Sequence, residues 1–189
     1  MLALPLPALL GLGFLLTEAA VSLALRARHP ADTRRDDGTL RAIWRASALA
    51  PLALVVLGRA TPGLQFDYPA AVLGAGVTLF AAGLALRWGA IATLGRLFTV
   101  QVAIRARHTL VRRGPYAWMR HPSYTGLLLA FAGLAVTFEH ALALPVLLVP
   151  VTRAVLRRVR TEERALADAF GPAWGEYARA TPRLVPGLY

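Results

Sequence analysis

Long apolar runs separated by short polar segments make up most of this chain. Three of them, residues 2–25, 42–57 and 69–86, each contain at most one charged residue. A helix rising about 1.5 Å per residue needs about 20 residues to cross the hydrocarbon core of a bilayer. Each run, with its flanks, therefore predicts a membrane-spanning helix.

Two shorter apolar runs follow at residues 124–138 and 141–157, with Glu139 and His140 between them. Each is short for a span, so together they predict a tight helical hairpin that borrows length from its flanks. Pro145 and Pro150 are expected to bend the returning helix. The predicted fold class is all-α, a polytopic integral membrane protein of about five spans. It forms one domain over residues 1–189, with cytoplasmic segments 87–123 and 158–189.

Composition agrees with a membrane protein and narrows the chemistry. The chain is 57% hydrophobic and 16% charged, which is more apolar and less charged than a typical soluble domain. It contains no cysteine, which excludes disulfides, thiolate metal sites and a cysteine nucleophile. The first run could instead be a signal peptide, but a signal peptide has its basic residues before the apolar stretch, and here they follow it. A retained span is therefore predicted.

The distribution of the 21 basic residues, all arginine, predicts an orientation. With five spans and the N-terminus outside, every arginine except Arg59 falls on one side. The positive-inside rule makes that side cytoplasmic, in the cell inner or plasma membrane. Topology and anionic headgroups of the membrane lipid then account for the net charge of +11, and nucleic acid is not expected as a partner.

The passage from residue 108 to residue 126 carries the densest set of histidine and aromatic side chains. Gly114-Pro115 predicts a turn, and Pro122 pushes His121 out of the helical region. The backbone is thus expected to break directly before an apolar helix. Irregular backbone at membrane depth is tolerated where it lines a cavity or is buried in protein. The unpaired amides at the start of the helix can then face a polar or anionic ligand.

A second passage continues the returning helix of the hairpin. Arg158 and Glu162 lie four residues apart and share one helix face. A solvated pair of this kind is worth only about 0.3 kcal/mol and needs no function. Because the hairpin returns this helix to the break at His121, however, the two passages are predicted to form one site.

Several remaining features are weaker signals. The four histidines lack metal-ligand spacing, so no metal site is predicted. Glu18 is an acid inside a span and is either functional or simply turned toward the bundle. Four glycines within apolar runs are expected to permit close helix packing, namely Gly11, Gly13, Gly74 and Gly76.

The two passages resemble the isoprenylcysteine carboxyl methyltransferase family and, more distantly, the membrane phospholipid N-methyltransferases. The resemblance covers about the last hundred residues, and the first two spans carry no family signature. It is carried by Arg87-Trp88, Leu94-Gly95-Arg96, Phe98-Thr99, the motif from Arg120 to Gly126, Glu162-Glu163, Phe170-Gly171, Tyr177 and the segment from Arg183 to Pro186.

This resemblance implies S-adenosyl-L-methionine bound in a cytoplasmic pocket between the base of the hairpin, the loop before it and the C-terminal segment. The implied cofactor contacts are Gln101, His108, Thr109, Leu110, Val111, Tyr116, His121, Pro122, Ser123, Tyr124, Glu162 and Glu163. The implied substrate-facing arginine is Arg158, with Arg160 as the alternative after a small misalignment and Arg120 as a helper. The implied activity is carboxyl O-methylation of an isoprenylcysteine-like, prenylated or other lipophilic substrate.

The chemistry suits these residue types. A carboxylate is already ionised at neutral pH, so methyl transfer to it needs orientation and desolvation and neither a strong base nor a metal. An amine acceptor would need a proton removed, with Glu163 or His121 as the candidate base. An NADPH-dependent reductase resembling the sterol reductases, which share an Arg-His-Pro-x-Tyr element, and a non-catalytic scaffold stay open, as does the oligomeric state.

Overall fold

The computed structural model describes residues 5–28, 38–98 and 110–187, and within these ranges the secondary structure is helical. One isolated bridge joins Gln65 to His140, and the described ranges contain no strand. Short 3-10 turns at Pro62–Leu64, Gly95–Leu97 and Gly114–Ala117 connect the helices. The helices are α1 (Leu6–Arg28), α2 (Thr39–Ala60), α3 (Ala70–Leu94), α4 (Pro122–Val136), α5 (Ala143–Phe170) and α6 (Pro172–Ala180).

Helices α1, α2 and α3 correspond to the three long apolar runs. Each is long and apolar enough to cross a membrane, whereas α4 is a shorter apolar helix. Their outward side chains are those of a lipid-facing surface: Leu9, Leu16 and Leu23 on α1 are at least half exposed. The predicted all-α membrane architecture is confirmed at this level.

Helix α3 extends further than its apolar run suggests. The run ends at residue 86, but the helix continues to Leu94 and stops at Gly95, whose φ of 54° favours glycine. The residues between contain no proline, so nothing in them breaks the helix. Arg87 and Trp88 are consequently helical, although the sequence assigned them to the start of a polar segment.

Helices α4 and α5 form the predicted hairpin around residues 137–142. At the turn, Glu139 adopts a φ of 51° and its carboxylate accepts a hydrogen bond from the Tyr68 amide at 2.7 Å. Pro145 falls in the first turn of α5, where proline is tolerated, and Pro150 lies inside the helix. Helix α5 then runs without interruption to Phe170, so the hairpin and the Arg158–Glu162 face belong to one rigid element.

A seam of glycines joins α3 to α4. A Cβ atom built on Gly126 would lie 2.5 Å from the Gly83 carbonyl oxygen, and one on Gly133 would lie 2.5 Å from the Gly76 oxygen. The two backbones therefore touch, which fixes the start of α4 against Arg87. Of the glycines expected to pack closely, only Gly76 does so. A Cβ on Gly11, Gly13 or Gly74 would meet nothing within 4 Å.

Candidate active site

The start of α4 is held in place by the segment that follows α6. His121, with φ −127° and ψ 58°, precedes Pro122 at the first helical position. The Arg120 amide donates to the Pro182 carbonyl at 2.9 Å, and the His121 amide donates to the Arg183 carbonyl at 3.0 Å. The backbone break predicted from the His-Pro pair is thus paired with the C-terminal segment, and both of its backbone amides have acceptors.

Three side chains from α4 and α5 form the centre of the site. The Tyr124 hydroxyl donates to Glu162 Oε1 at 2.6 Å, and Arg158 Nε donates to the same oxygen at 2.8 Å. Arg158 is only 2% exposed, and its Nη1 donates to Thr39 Oγ1 on α2 at 3.3 Å. Arg158 is therefore buried and its partner Glu162 is partly buried, and Tyr124 joins them in one cluster, so they are not the solvated pair that their spacing alone allowed.

Glu163 is the hub of a second cluster beside the first. Its Oε1 lies 3.2 Å from His121 Nε2 and 3.1 Å from Arg120 Nε, and its Oε2 lies 2.8 Å from Arg183 Nη2. Burial raises the pKa of Glu163, but the hydrogen bonds from His121 and Arg183 and the nearby positive charges outweigh it and lower the pKa to about 2. This carboxylate stays ionised. It links α5 to the residues before α4 through Arg120 and His121, and to the C-terminal segment through Arg183.

A third ion pair lies deeper, between the first and third helices. Arg87 Nε donates to Glu18 Oε1 at 2.6 Å, and its Nη2 donates to Glu18 Oε2 at 2.5 Å, a bidentate geometry. Arg87 Nη1 reaches the carbonyl and hydroxyl oxygens of Ser123, each at 3.2 Å. All three residues are buried. The sequence left the role of Glu18 open, and the structure pairs it with Arg87.

Aromatic side chains close the site on the side of α6. The Tyr177 hydroxyl donates to the Tyr116 carbonyl at 2.6 Å, and the Arg120 guanidinium lies over the Trp174 ring, 5.8 Å from its centroid. Burial raises the pKa of Tyr116 well above its usual value and that of Tyr177 to about 12. Both phenols are neutral at physiological pH and can serve as donors.

These groups surround one cavity of about 1420 Å³, including its open mouth. Its lining contains two kinds of side chain. We call the charged and aromatic side chains from α4, α5 and α6 the polar end. We call the apolar side chains from α1, α2 and α4, namely Phe14, Ile43, Trp44 and Leu127, the apolar arm. A cavity with both kinds of lining suits two ligands, one polar and one lipophilic.

Most of the predicted site residues within the described ranges meet at this cavity. Pro122 is buried at the start of α4, and Glu163 acts through the lining residues Arg120 and His121. Arg160 is exposed and does not line the cavity, whereas Arg158 does. Gln101, His108 and Thr109 lie outside the described residues. The predicted residues that line the cavity are Leu110, Val111, Tyr116, Arg120, His121, Ser123, Tyr124, Arg158 and Glu162.

The site also includes two residues that the sequence did not single out. Trp174 lines the cavity because α6 lies over it. Thr39, at the start of α2, accepts a hydrogen bond from Arg158. No local pattern marks these two residues, because their roles depend on tertiary packing. Arg183, from the C-terminal segment that carries the family resemblance, donates to Glu163. Among the described residues, no group of three or more acidic or histidine side chains is arranged to hold a metal ion.

Comparison with known proteins identifies relatives of the segment that builds this site. The model of the isoprenylcysteine carboxyl methyltransferase (ICMT) family matches residues 76–168. Protein-S-isoprenylcysteine O-methyltransferase B of Arabidopsis thaliana is 39% identical over 113 residues, covering 59% of this chain and 57% of that protein. The cobalt-zinc-cadmium resistance protein CzcN of Cupriavidus metallidurans is 40% identical over 99 residues, covering 52% and 45%. The matches thus span about half the length of these curated relatives.

A solved structure shares the fold over nearly the whole chain. The structure of the eukaryotic intramembrane Ras methyltransferase ICMT superposes with a TM-score of 0.66 and 23% sequence identity. The superposition covers 99% of this chain and 70% of that one. The arrangement of helices is therefore shared beyond the segment in which the sequences match, including α1 and α2.

Proposed function

Residues 76–168 make this chain a member of the isoprenylcysteine carboxyl methyltransferase family, and on that premise we propose that it is a membrane methyltransferase. It transfers the methyl group of S-adenosyl-L-methionine to the carboxylate of an isoprenylcysteine-like or other lipophilic acceptor. The observation that carries this proposal is that the Tyr124–Glu162–Arg158 cluster lines the same cavity as the apolar side chains of α1 and α2.

The polar end fits the cofactor by its donor and acceptor chemistry. The Glu162 carboxylate suits an ammonium group or ribose hydroxyls. Tyr116, Tyr177 and Trp174 supply flat surfaces for a purine. Leu110, Val111 and the turn from His121 to Tyr124 complete this wall.

The charge balance of the wall favours a carboxylate acceptor. Each described arginine that lines the cavity lies beside a glutamate: Arg87 beside Glu18, Arg120 beside Glu163, and Arg158 beside Glu162. Bound S-adenosyl-L-methionine supplies an electrophilic methyl group on a positively charged sulfur. A neutral wall of low dielectric stabilises one negative charge beside that sulfonium and disfavours a second positive charge.

The chain's own residues align the reaction and keep water out of it. The acceptor's carboxylate oxygen forms the new bond to the methyl carbon, while the carbon–sulfur bond breaks and its electron pair stays on sulfur. No proton moves, so no base is required. Arg158, held by Glu162 and Tyr124, can orient the carboxylate through its guanidinium. Opposite charges disappear in the transition state, which a dry cavity favours.

Glu163 makes an amine acceptor a poorer fit. N-methylation needs a group that removes a proton from the ammonium, and Glu163 was one candidate. With its pKa near 2, ion pairs to Arg120 and Arg183 and a hydrogen bond from His121, Glu163 is a weak base whose oxygens are occupied. His121 is then the remaining candidate base, and its Nε2 is hydrogen-bonded to Glu163. Carboxyl O-methylation is therefore favoured over phospholipid or amine N-methylation.

We also propose the five-span topology. Helices α1, α2 and α3 cross the membrane singly, and the α4–α5 hairpin supplies the fourth and fifth spans. The glycine seam supports this arrangement, because it locks the shorter α4 along the full-length helix α3. The arginine distribution supports a cytoplasmic site with the N-terminus outside. The acceptor's aliphatic chain then reaches the apolar arm from within the bilayer.

Titration calorimetry on detergent-purified protein tests the cofactor assignment. The protein is expected to bind S-adenosylhomocysteine, the reaction product, and to show no heat with NADPH. Glu162→Ala is expected to lose this binding, since it removes the carboxylate shared by Tyr124 and Arg158. Glu176→Ala removes an exposed carboxylate on α6 and serves as the matched control. NADPH binding in place of S-adenosylhomocysteine would support the reductase alternative instead.

A further inference from the structure

Among the described residues, Glu18 is the one buried acid that lines the cavity and lies outside the segment matched by the family model. It belongs to α1, whose buried side chains within the described part of that helix form a narrow seam ending at this carboxylate. A buried ion pair contributes little net stability compared with apolar packing, because desolvation offsets the attraction. Glu18 and Arg87 both line the cavity, so their pairing calls for a functional explanation.

The arrangement of donors on Arg87 gives this explanation. Glu18 binds Nε and Nη2, which fixes the plane and the direction of the guanidinium. The remaining nitrogen, Nη1, is thereby aimed at Ser123. A guanidinium without its bidentate partner could rotate away from this target, because the arginine side chain has several rotatable bonds.

Ser123 connects the oriented Arg87 side chain to the cavity. Arg87 donates to the Ser123 hydroxyl oxygen, so that oxygen acts as an acceptor on one side. A hydroxyl also carries one proton to donate, and no acceptor in the described part of the chain receives it. Ser123 lines the cavity at the start of α4. Its proton is therefore left to point at a bound ligand.

We propose that Glu18 is a positioning residue: by holding Arg87 on Ser123, it fixes the Ser123 hydroxyl as a hydrogen-bond donor to an oxygen or nitrogen acceptor on the bound nucleoside cofactor. This inference rests on the proposed function, since Ser123 is one of the cofactor contacts proposed there. Helix α1, which carries no family signature, would then take part in binding the cofactor.

A double-mutant cycle on cofactor affinity tests the inference. The dissociation constant of S-adenosylhomocysteine is measured by calorimetry for the unaltered protein, Glu18→Gln, Ser123→Ala and the double variant. Each single variant is expected to weaken binding about tenfold, as for the loss of one hydrogen bond in a buried site. The double variant is expected to be no weaker than either single one, because Glu18 acts through Ser123. A purely structural role would lower the folded fraction and leave the affinity of the folded protein unchanged.

Two further variants keep the test decisive. Thr17→Ala is the matched control on the same helix, since the Thr17 hydroxyl bonds only within α1, to the Phe14 carbonyl, and does not line the cavity. Arg87→Lys keeps a positive charge beside Glu18 but lacks the fork that reaches Ser123, so it is expected to reproduce the tenfold loss even if Glu18→Gln fails to fold.

The outcomes separate this inference from the proposed function. Unchanged affinity in the folded Glu18→Gln or Arg87→Lys protein overturns the inference alone. A double variant whose affinity is about a hundredfold weaker also overturns the inference. The effects of Glu18→Gln and Ser123→Ala would then be independent of each other. No binding of S-adenosylhomocysteine by the unaltered protein contradicts the proposed function, and the inference falls with it.

Discussion

Two arginines two positions apart on α5 have opposite environments. Arg158 is 2% exposed and shares Glu162 with Tyr124, whereas Arg160 is exposed. Successive residues turn by about 100° around a helix, so positions two apart point to nearly opposite faces. The sequence left both arginines as candidates, because an alignment shifted slightly exchanges them. The structure distinguishes them through burial, because Arg158 lines the cavity and Arg160 does not, and we therefore propose Arg158 as the substrate-facing residue.

The pKa of Glu163 predicts how the stability of the folded protein changes at low pH. Its folded-state pKa of about 2 lies below the usual value of 4.5, so ionised Glu163 stabilises the folded state. That contribution is fully present above about pH 4.5 and is lost as the pH falls toward 2. Glu163→Gln is therefore expected to lower the thermal midpoint at neutral pH and to reduce the decline in midpoint between pH 4.5 and pH 2.

Detergent-solubilised protein, followed by circular dichroism during heating, provides this measurement. Glu176→Gln, a change of an exposed acid on α6, serves as the comparison for a generic loss of negative charge. An acid dependence that is the same with and without Glu163 would show that its cationic partners do not stabilise the fold through this carboxylate.

At the scale of elements, the contact between α3 and α4 sets the geometry of the site. Gly83 and Gly126 bring the two backbones together one turn from Arg87 and Ser123. A close approach of this kind is accessible only to glycine, because any side chain would occupy the space of the opposing backbone. The distance between Arg87 and the start of α4 therefore depends on the seam.

Alanine at the seam is expected to separate the helices. Gly126→Ala places a methyl group where the Gly83 carbonyl lies, and overpacking of this type costs about 1–3 kcal/mol. Gly74→Ala, on the same helix as Gly83, meets nothing within 4 Å and is expected to be neutral. Thermal unfolding in detergent checks the pair, and an equal midpoint for both variants would contradict the role of the seam.

The sequence predicted the helices better than their contacts. Apolar runs identify α1, α2 and α3 because the bilayer requires about 20 apolar residues for each span. They do not identify the end of α3, which is determined by Gly95, or the seam, which needs two glycines on one helix to face two on another. Gly74 and Gly76 look alike in the sequence, and only Gly76 faces α4.

At the scale of the whole molecule, the site is assembled from distant segments. The family motif predicted the parts of the site on α4 and α5, because the residues concerned are close together in the sequence. Glu18 and Arg87 are 69 positions apart and pair because α1 packs against α4, which itself lies along α3. Trp174 and Arg183 join the site because α6 and the following segment fold back on the start of α4. These pairings follow from tertiary structure, although Arg183 itself lies in the C-terminal segment that carries the family resemblance.

The whole cavity, with its balanced polar end and its apolar arm, argues for methyl transfer to a lipophilic carboxylate. Its most direct test uses the protein in lipid vesicles with S-adenosyl-L-methionine labelled on the methyl group and a prenylated cysteine derivative as acceptor. Methyl esters release their label as methanol in alkali, whereas N-methyl groups retain it. We expect alkali-labile label in the lipid-soluble product, lost in Arg158→Ala and kept in Arg160→Ala. No transfer to the acceptor, or label that resists alkali on an amine lipid, would contradict the account.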